Sequence, residues 1–186
     1  MAHQTGCPAA AERQMLVYHN GWSRTYYRWQ VGSNHCTPPC TFLTVTGNRW
    51  FNEERYGEKA VQRKRDREEA VRFFMAFANA DCDRIAIENP IGHMSTAWRK
   101  PDQVIHPFMF GDPARKGTCL WLKGLTTLKP TKVVEPEIIA YKNGKGTDNP
   151  WHMDTMKLPP NERARARSVT FQGIADAMAD QWGGGE

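Results

Sequence analysis

The chain has 186 residues, a length that favours a single domain or one domain with an appendage. Leu, Ile, Val and Phe make up only about 17% of it, but seven Trp and eight Met add apolar volume, and the formal net charge of +5 is modest. This composition excludes a wholly disordered chain and a histone-like one. Apolar runs fall short of the roughly 20 residues of a membrane span, and no secretory signal is visible, so we expect a cytoplasmic protein with no membrane partner.

Cysteine usage points to reduced thiols rather than to a disulfide framework. The five cysteines are odd in number and scattered: Cys7, Cys36, Cys40, Cys82 and Cys119. Zinc ligation by His35, Cys36 and Cys40 with one further cysteine is an alternative. Because no paired C-x-x-C motif is present, we predict no metal site.

The sequence divides into an N-terminal segment and a main domain. Residues 1–36 show no sustained apolar period and are treated as an atypical N-terminal segment, while residues 37–186 form the main domain. The two prolines of Pro38-Pro39-Cys40 exclude a helix and predict a rigid loop. No apolar strand leads directly into that loop. Residues 58–80 are predicted to be a helix whose apolar second half packs on a core.

A strand is predicted next, because 84–87 is a short apolar run that ends at the polar turn Glu88-Asn89-Pro90. A helix followed by such a strand is typical of an α/β layer. A further strand is expected at 118–122, within a loop-rich segment from 92 to 130. Residues 140–167 are polar and rich in Gly and Pro, and they predict a flexible or ligand-ordered excursion. The last helix is expected at 173–182, stopped by three glycines.

Two side chains have the chemistry of an active site. Cys40 lies on a proline-stiffened loop, and Glu88 lies where a strand runs into a turn. A thiolate nucleophile needs a rigid approach, and a carboxylic acid opposite it can donate a proton to the substrate. Active sites of α/β folds lie just past the carboxyl ends of strands. A buried cysteine in a turn and a solvated carboxylate are the alternatives for residues taken singly.

Five segments together resemble a phage and prophage family described as DNA cytosine methyltransferase-like. The segments are 38–51, 85–95, 98–103, 114–124 and 170–179. The first contains the Pro38-Pro39-Cys40 motif and the second contains the Glu88-Asn89-Pro90 motif. The resemblance covers roughly residues 38–182. It implies an α/β, Rossmann-like sheet of the class I methyltransferase type, with loop-rich insertions, that methylates carbon 5 of cytosine in DNA.

The resemblance also implies roles for individual residues. Cys40 would add to carbon 6 of a cytosine turned out of the duplex, and Glu88 would activate the ring at N3. Pro39 would stiffen the nucleophile loop, and Asn89 would orient the carboxyl group or bond the base edge. The remaining residues assigned to substrate binding are Pro90 and the candidate phosphate contacts Arg99, Lys100, Arg165 and Arg167.

The implied methyl donor is S-adenosylmethionine, which such enzymes hold at a glycine-containing turn after their first strand. No such turn precedes Cys40, so we expect a chain shortened at its N-terminus that binds the cofactor poorly on its own. The alternative function is a non-catalytic remnant or DNA-binding accessory protein without a cofactor site. Either would act in the cytoplasm of a bacterial host or phage-infected cell.

Overall fold

The computed structural model describes residues 17–19, 24–26, 28–30, 33–38, 40–141, 144 and 146–183, with side chains from residue 35 onward. The strands are β1 (Val17–His19), β2 (Arg24–Tyr26), β3 (Arg28–Gln30), β4 (Ser33–Cys36), β5 (Ile85–Pro90), β6 (Gln103–Ile105), β7 (Thr118–Lys123), β8 (Ile139–Ala140) and β9 (Thr147–Asp148). The helices are α1 (Glu53–Tyr56), α2 (Glu58–Ala78), α3 (Met94–Ala97), α4 (Pro150–Lys157), α5 (Pro160–Ser168) and α6 (Gln172–Trp182).

A five-stranded sheet has the order β3-β4-β5-β7-β6. Strands β4 and β5 are parallel, with Cys36 opposite Ile87, whereas β5 and β7 are antiparallel along their whole length. The sheet is therefore mixed and lies with helices in one chain, so the α/β class is confirmed. The predicted strands at 84–87 and 118–122 correspond to β5 and β7.

Strand β5 is the buried centre of the sheet. Its residues from Ile85 to Asn89 are all buried, which means that both faces of the strand are covered. The apolar run Ile85-Ala86-Ile87 is the pattern expected of a strand covered on both faces. The strand extends three residues further than predicted, because Glu88, Asn89 and Pro90 pair with Leu120, Cys119 and Thr118.

The apolar second half of α2 packs on this sheet, as predicted. Phe74 is fully buried, and its ring meets those of Trp121 and Trp98 edge-to-face at 5.2 and 5.9 Å. Such aromatic pairs add about 1 kcal/mol each beyond their buried area. The core around them includes Cys36, Leu43, Cys82, Ile85, Ile87, Met94 and Cys119.

Residues 33–38 correct one prediction. A strand does lead directly into the Pro38-Pro39-Cys40 loop, because β4 ends at Cys36. Its sequence, Ser-Asn-His-Cys, carries almost no apolar signal of its own. The strand is formed by pairing with β3 on one side and β5 on the other, which a sequence pattern does not reveal.

The described residues fall into two compact units. The first comprises the residues up to Val104, Thr118–Thr127 and those from Trp182 onward, and it contains most of the sheet and α2. The second comprises Ile105–Gly117 and Leu128–Gln181. The sequence boundary expected at residue 36 stays a prediction.

Most of residues 140–167, predicted to be a flexible or ligand-ordered excursion, instead form β9 and the helices α4 and α5. The prolines that suggested a loop occupy the first helical turn of each helix, where a missing N–H costs nothing. Asn149 caps α4 by accepting a hydrogen bond from the His152 N–H. The helix predicted at 173–182 is confirmed as α6, one residue longer.

None of the helices in the described part of the chain combines the length and the apolar character that a membrane span needs.

Asp102 should make the stability of the first unit depend on pH. Its carboxylate accepts hydrogen bonds from Arg99 Nη2 at 2.8 Å and from the Leu122 N–H at 2.7 Å. Burial alone would raise the pKa of Asp102, but these bonds and the Arg99 charge lower it below the ordinary 3.8. The stabilisation is therefore present above about pH 4 and is lost as the pH falls through the lowered pKa.

We expect Asp102→Asn to lose about 1 kcal/mol of unfolding free energy at pH 7, and progressively less below pH 4. Urea denaturation across pH 2–7 measures this difference. Asp154→Asn, which removes an exposed ion pair with Lys157, is the control and should change little. If Asp102→Asn lost the same unfolding free energy at every pH from about 2 to 7, the stabilisation would not depend on the ionised Asp102 carboxylate, which would contradict this prediction.

Candidate functional site

The loop that carries Cys40 and the Glu88-Asn89-Pro90 segment lie at the same edge of the sheet. Strands β4 and β5 are parallel neighbours, so their carboxyl ends point the same way. Cys36 lies opposite Ile87, which places Thr37 and Pro38 beside Glu88 and Asn89. The edge is therefore where an α/β fold places its chemistry.

Glu88 points to one face of the sheet together with His35. Side chains alternate along a strand, and the register sets His35 opposite Ala86, two residues before Glu88 on the same face. His35 Nε2 lies 3.1 Å from Glu88 Oε2, and Glu88 is only 9% exposed. The histidine therefore orients a largely buried carboxyl group.

Sequence reasoning considered His35 only as a zinc ligand and missed this contact. The signal that could have found it is the register of β4 on β5, and β4 itself was not predicted. Among the described residues, no group of three or more His, Cys, Asp or Glu side chains is arranged to hold a metal ion.

Asn89 joins the two strand ends. Its Nδ2 donates a 3.0 Å hydrogen bond to the Pro38 carbonyl oxygen, and the side chain is only 2% exposed. A buried carbonyl without a donor costs about 1–3 kcal/mol, so this bond holds the start of the Cys40 loop against β5. Pro39, which lies between Pro38 and Cys40, is outside the described residues.

The chain beyond Cys40 is held just as closely. The Leu43 and Thr44 N–H groups donate to the Cys40 carbonyl at 2.9 and 3.0 Å, which forms a helical turn. Leu43 is buried in the core, and its carbonyl accepts a 2.7 Å hydrogen bond from the His93 N–H. A Cβ atom at Gly92 would overlap that same carbonyl, so only glycine allows this close approach.

Two arginines of α2 bind the same turn from the helix side. Arg63 Nη2 donates to the Thr41 carbonyl at 3.1 Å, and Arg67 Nε donates to the Phe42 carbonyl at 2.9 Å. Both guanidinium groups also stack on the Phe51 ring, Arg67 at 3.4 Å from its centroid. Burial lowers the pKa of both arginines, which nevertheless stay charged at neutral pH.

The sequence analysis did not predict that these two arginines hold the Cys40 turn, because it drew its packing prediction for this helix from the apolar second half alone. The signal available was their spacing of four residues, which places both on one side of a helix. Their charge also affects a neighbour. Burial, and after it the Arg67 charge, lowers the pKa of His93, so His93 is neutral at pH 7.

Cys40 differs from the other described cysteines in its exposure. It lies on the surface, whereas Cys36, Cys82 and Cys119 are buried. Burial raises the pKa of the Cys119 thiol to about 11, so that thiol is protonated at physiological pH. A nucleophile has to be both accessible and deprotonated, and Cys40 is the described cysteine that meets the first condition.

The other predicted residues have contacts of their own. Pro90 pairs with Thr118 in the sheet. Arg99 is bound to Asp102 and stacks on Trp98 at 4.6 Å, while Lys100 is exposed. In the second unit, Arg165 is exposed on α5, whereas Arg167 Nε donates to Thr155 Oγ1 at 2.9 Å. Phosphate binding by these four basic residues stays a prediction.

A cavity of about 200 Å³ lies in the first unit, on the α2 side of β5 and β7. It is lined by Ala78, Ile85, Ile87, Trp98, Arg99, Trp121, Leu122 and Lys123. Ligand pockets usually measure about 300–1,000 Å³, and the two basic residues at this one would repel the cationic sulfonium of S-adenosylmethionine. The cavity does not fit that cofactor.

Comparisons of the chain with models of protein families, with curated proteins and with solved structures gave no match.

Cys40 should be the fastest-reacting of the described thiols. We expect iodoacetamide at pH 8 to alkylate Cys40 well before the buried Cys36, Cys82 and Cys119, with the rate at each site followed by peptide mass spectrometry. In urea the differences should disappear, which controls for intrinsic reactivity. Labelling of Cys119 as fast as that of Cys40 in the folded chain would contradict the structure.

Proposed function

We propose that this chain activates cytosine in DNA for substitution at carbon 5, the first step of cytosine carbon-5 methylation. The observation that carries the proposal is the hydrogen bond from Asn89 to the Pro38 carbonyl. It holds the start of the loop that carries the exposed Cys40 against β5, the strand that carries the shielded Glu88, at one edge of the sheet. The resemblance to phage methyltransferases supplies the substrate class.

Activation of carbon 5 requires the Cys40 thiolate and the Glu88 carboxyl group to act on the same cytosine. The Cys40 thiolate forms a bond to carbon 6, the electrons of the 5,6 double bond move into the ring, and N3 takes a proton from the Glu88 carboxyl group. Carbon 5 then has enamine character and attacks an electrophile. Water takes the proton from carbon 5, the sulfur–carbon bond breaks so that Cys40 leaves as the thiolate, the 5,6 double bond is restored, and the N3 proton returns to Glu88.

His35 fits this step as a positioning residue. A carboxyl group that protonates N3 must keep one oxygen turned toward the base. The contact of His35 Nε2 with Glu88 Oε2 orients the carboxyl group for that role.

The parallel β4–β5 pair, with chemistry at its carboxyl edge, supports a Rossmann-like methyltransferase sheet as the finer description of the fold. S-adenosylmethionine as methyl donor remains part of the proposal, although the cavity of the first unit does not fit it. The activation of the base described above does not involve the cofactor. DNA as partner follows from the substrate, and the target base has to leave the stack to reach Cys40.

A DNA-binding accessory protein is the second candidate function. The observation that favours it is the excess of basic side chains near the site: residues 49–67 hold seven basic residues and four acidic ones. An accessory protein would bind DNA without any reaction at the base. The two candidates therefore differ in one measurable step.

Hydrogen exchange at carbon 5 measures that step without a methyl donor. DNA of mixed sequence, tritiated at carbon 5 of cytosine, should release tritium to water in the presence of the chain. We expect release to vanish in Cys40→Ser and to fall at least about 100-fold in Glu88→Gln, since a positioned acid contributes roughly that much.

Two matched variants serve as controls. Cys82→Ser removes a buried thiol, and Glu68→Gln removes an exposed carboxylate on α2, and both should keep the exchange rate. Exchange that survives in Cys40→Ser would show that the nucleophile is misassigned. DNA binding by the unchanged chain with no exchange would support the accessory role instead.

A further inference from the structure

Four side chains form a continuous stack on the surface of the first unit. The Arg49 guanidinium lies 4.7 Å from the centre of the Trp50 ring, the Trp50 and Tyr56 rings are 4.9 Å apart, and Arg55 lies 5.5 Å from the Tyr56 ring. The order is cation, ring, ring, cation. We call these four residues the stacked face.

The stacked face is accessible and lies in basic surroundings. Trp50 is 40% exposed, and both arginines are exposed. Exposed Lys59 and Arg65 follow on α2, while Lys64 of the same helix pairs with Glu53. A large aromatic ring exposed to water marks a binding surface. Next to positive charges, it complements a ligand that has both negative charges and flat aromatic rings.

The stacked face is tied to the candidate site through the backbone. A 3-10 helix, Val45–Phe51, joins the Cys40 turn to Trp50. The Val45 N–H donates to the Ile91 carbonyl, next to the Glu88-Asn89-Pro90 segment, and Arg63 links Phe51 to the Thr41 carbonyl. A short, hydrogen-bonded stretch of chain therefore connects the stacked face to the turn that carries Cys40.

We propose that the stacked face binds the single-stranded stretch of DNA beside the target base. An unpaired base displaces the Arg49 guanidinium from the Trp50 ring and stacks there, and Arg49 and Arg55 pair with the phosphates on either side. Stacking suits any base, because every base offers a π face, so the contact holds the strand without reading its sequence. The inference rests on the proposed function, since it assigns the strand to the cytosine that Cys40 attacks.

Fluorescence anisotropy with a labelled 16-nucleotide single strand tests the stacked face. Trp50→Leu should weaken binding at least about fivefold with an unchanged salt dependence, and Trp50→Phe should restore most of the affinity. The double variant R49Q/R55Q should make the slope of log affinity against log salt shallower by about 1.4, because two phosphate contacts are lost.

Arg72→Gln is the charge control, since Arg72 is exposed on α2, outside the stacked face, and this variant should keep the slope of the unchanged chain. Unchanged affinity in both Trp50→Leu and R49Q/R55Q would overturn the inference, as would tighter binding of an intact duplex through the same residues. Hydrogen exchange at carbon 5, measured on the unchanged chain, separates this inference from the proposed function. If the unchanged chain shows exchange but the Trp50 and arginine variants bind the single strand as tightly as it does, only the inference about the stacked face is wrong.

Discussion

The bond from Asn89 Nδ2 to the Pro38 carbonyl is the constraint on which the candidate site depends. Parallel pairing of β4 and β5 brings two chain ends to one edge, but it does not by itself determine where the following loops go. A buried amide that donates to a buried carbonyl determines the path of the loop. If either group lost its partner, the cost in folding free energy would exceed what the bond contributes. Asn89 therefore fixes the start of the Cys40 loop against β5, the strand that carries Glu88.

Around that bond, the turn after Cys40 is restrained from two further directions. Segment 91–93 contacts it through Gly92 and the His93 N–H, and α2 binds its carbonyls through Arg63 and Arg67. A nucleophile on such a turn loses little freedom when it meets a substrate, and well-oriented reacting groups lower barriers by several kcal/mol. The exposed thiol lies on a rigid turn, and this combination is what a covalent catalyst needs.

Apolar patterning predicted the elements that supply the core. Strands β5 and β7 and helices α2 and α6 were located because Ile85, Ile87, Phe74 and Ile174 stand at strand or helix spacing, and burial stabilises them directly. Strand β4 was missed because its residues are polar and its order comes from its neighbours. Helices α4 and α5 were missed because a proline breaks a helix interior but suits its first turn.

The site was predicted in part, for a related reason. Cys40 and Glu88 stand out by residue type, but their juxtaposition depends on the register of β4 against β5. His35 enters the site only through that register, and Arg63 and Arg67 only through where α2 lies against the turn. Contacts between distant segments are properties of packing, and no local pattern in one sequence records them.

A covalent adduct with DNA that carries 5-azacytosine tests the central relation most directly, because nitrogen at position 5 makes carbon 6 more electrophilic and removes the need for a methyl donor. We expect peptide mapping to place the adduct on Cys40. Asn89→Ala, with its fold checked by circular dichroism, should form it at least about tenfold more slowly, since a displaced loop misaligns the thiol. An adduct on another residue, or an Asn89→Ala rate equal to that of the unchanged chain, would contradict this account.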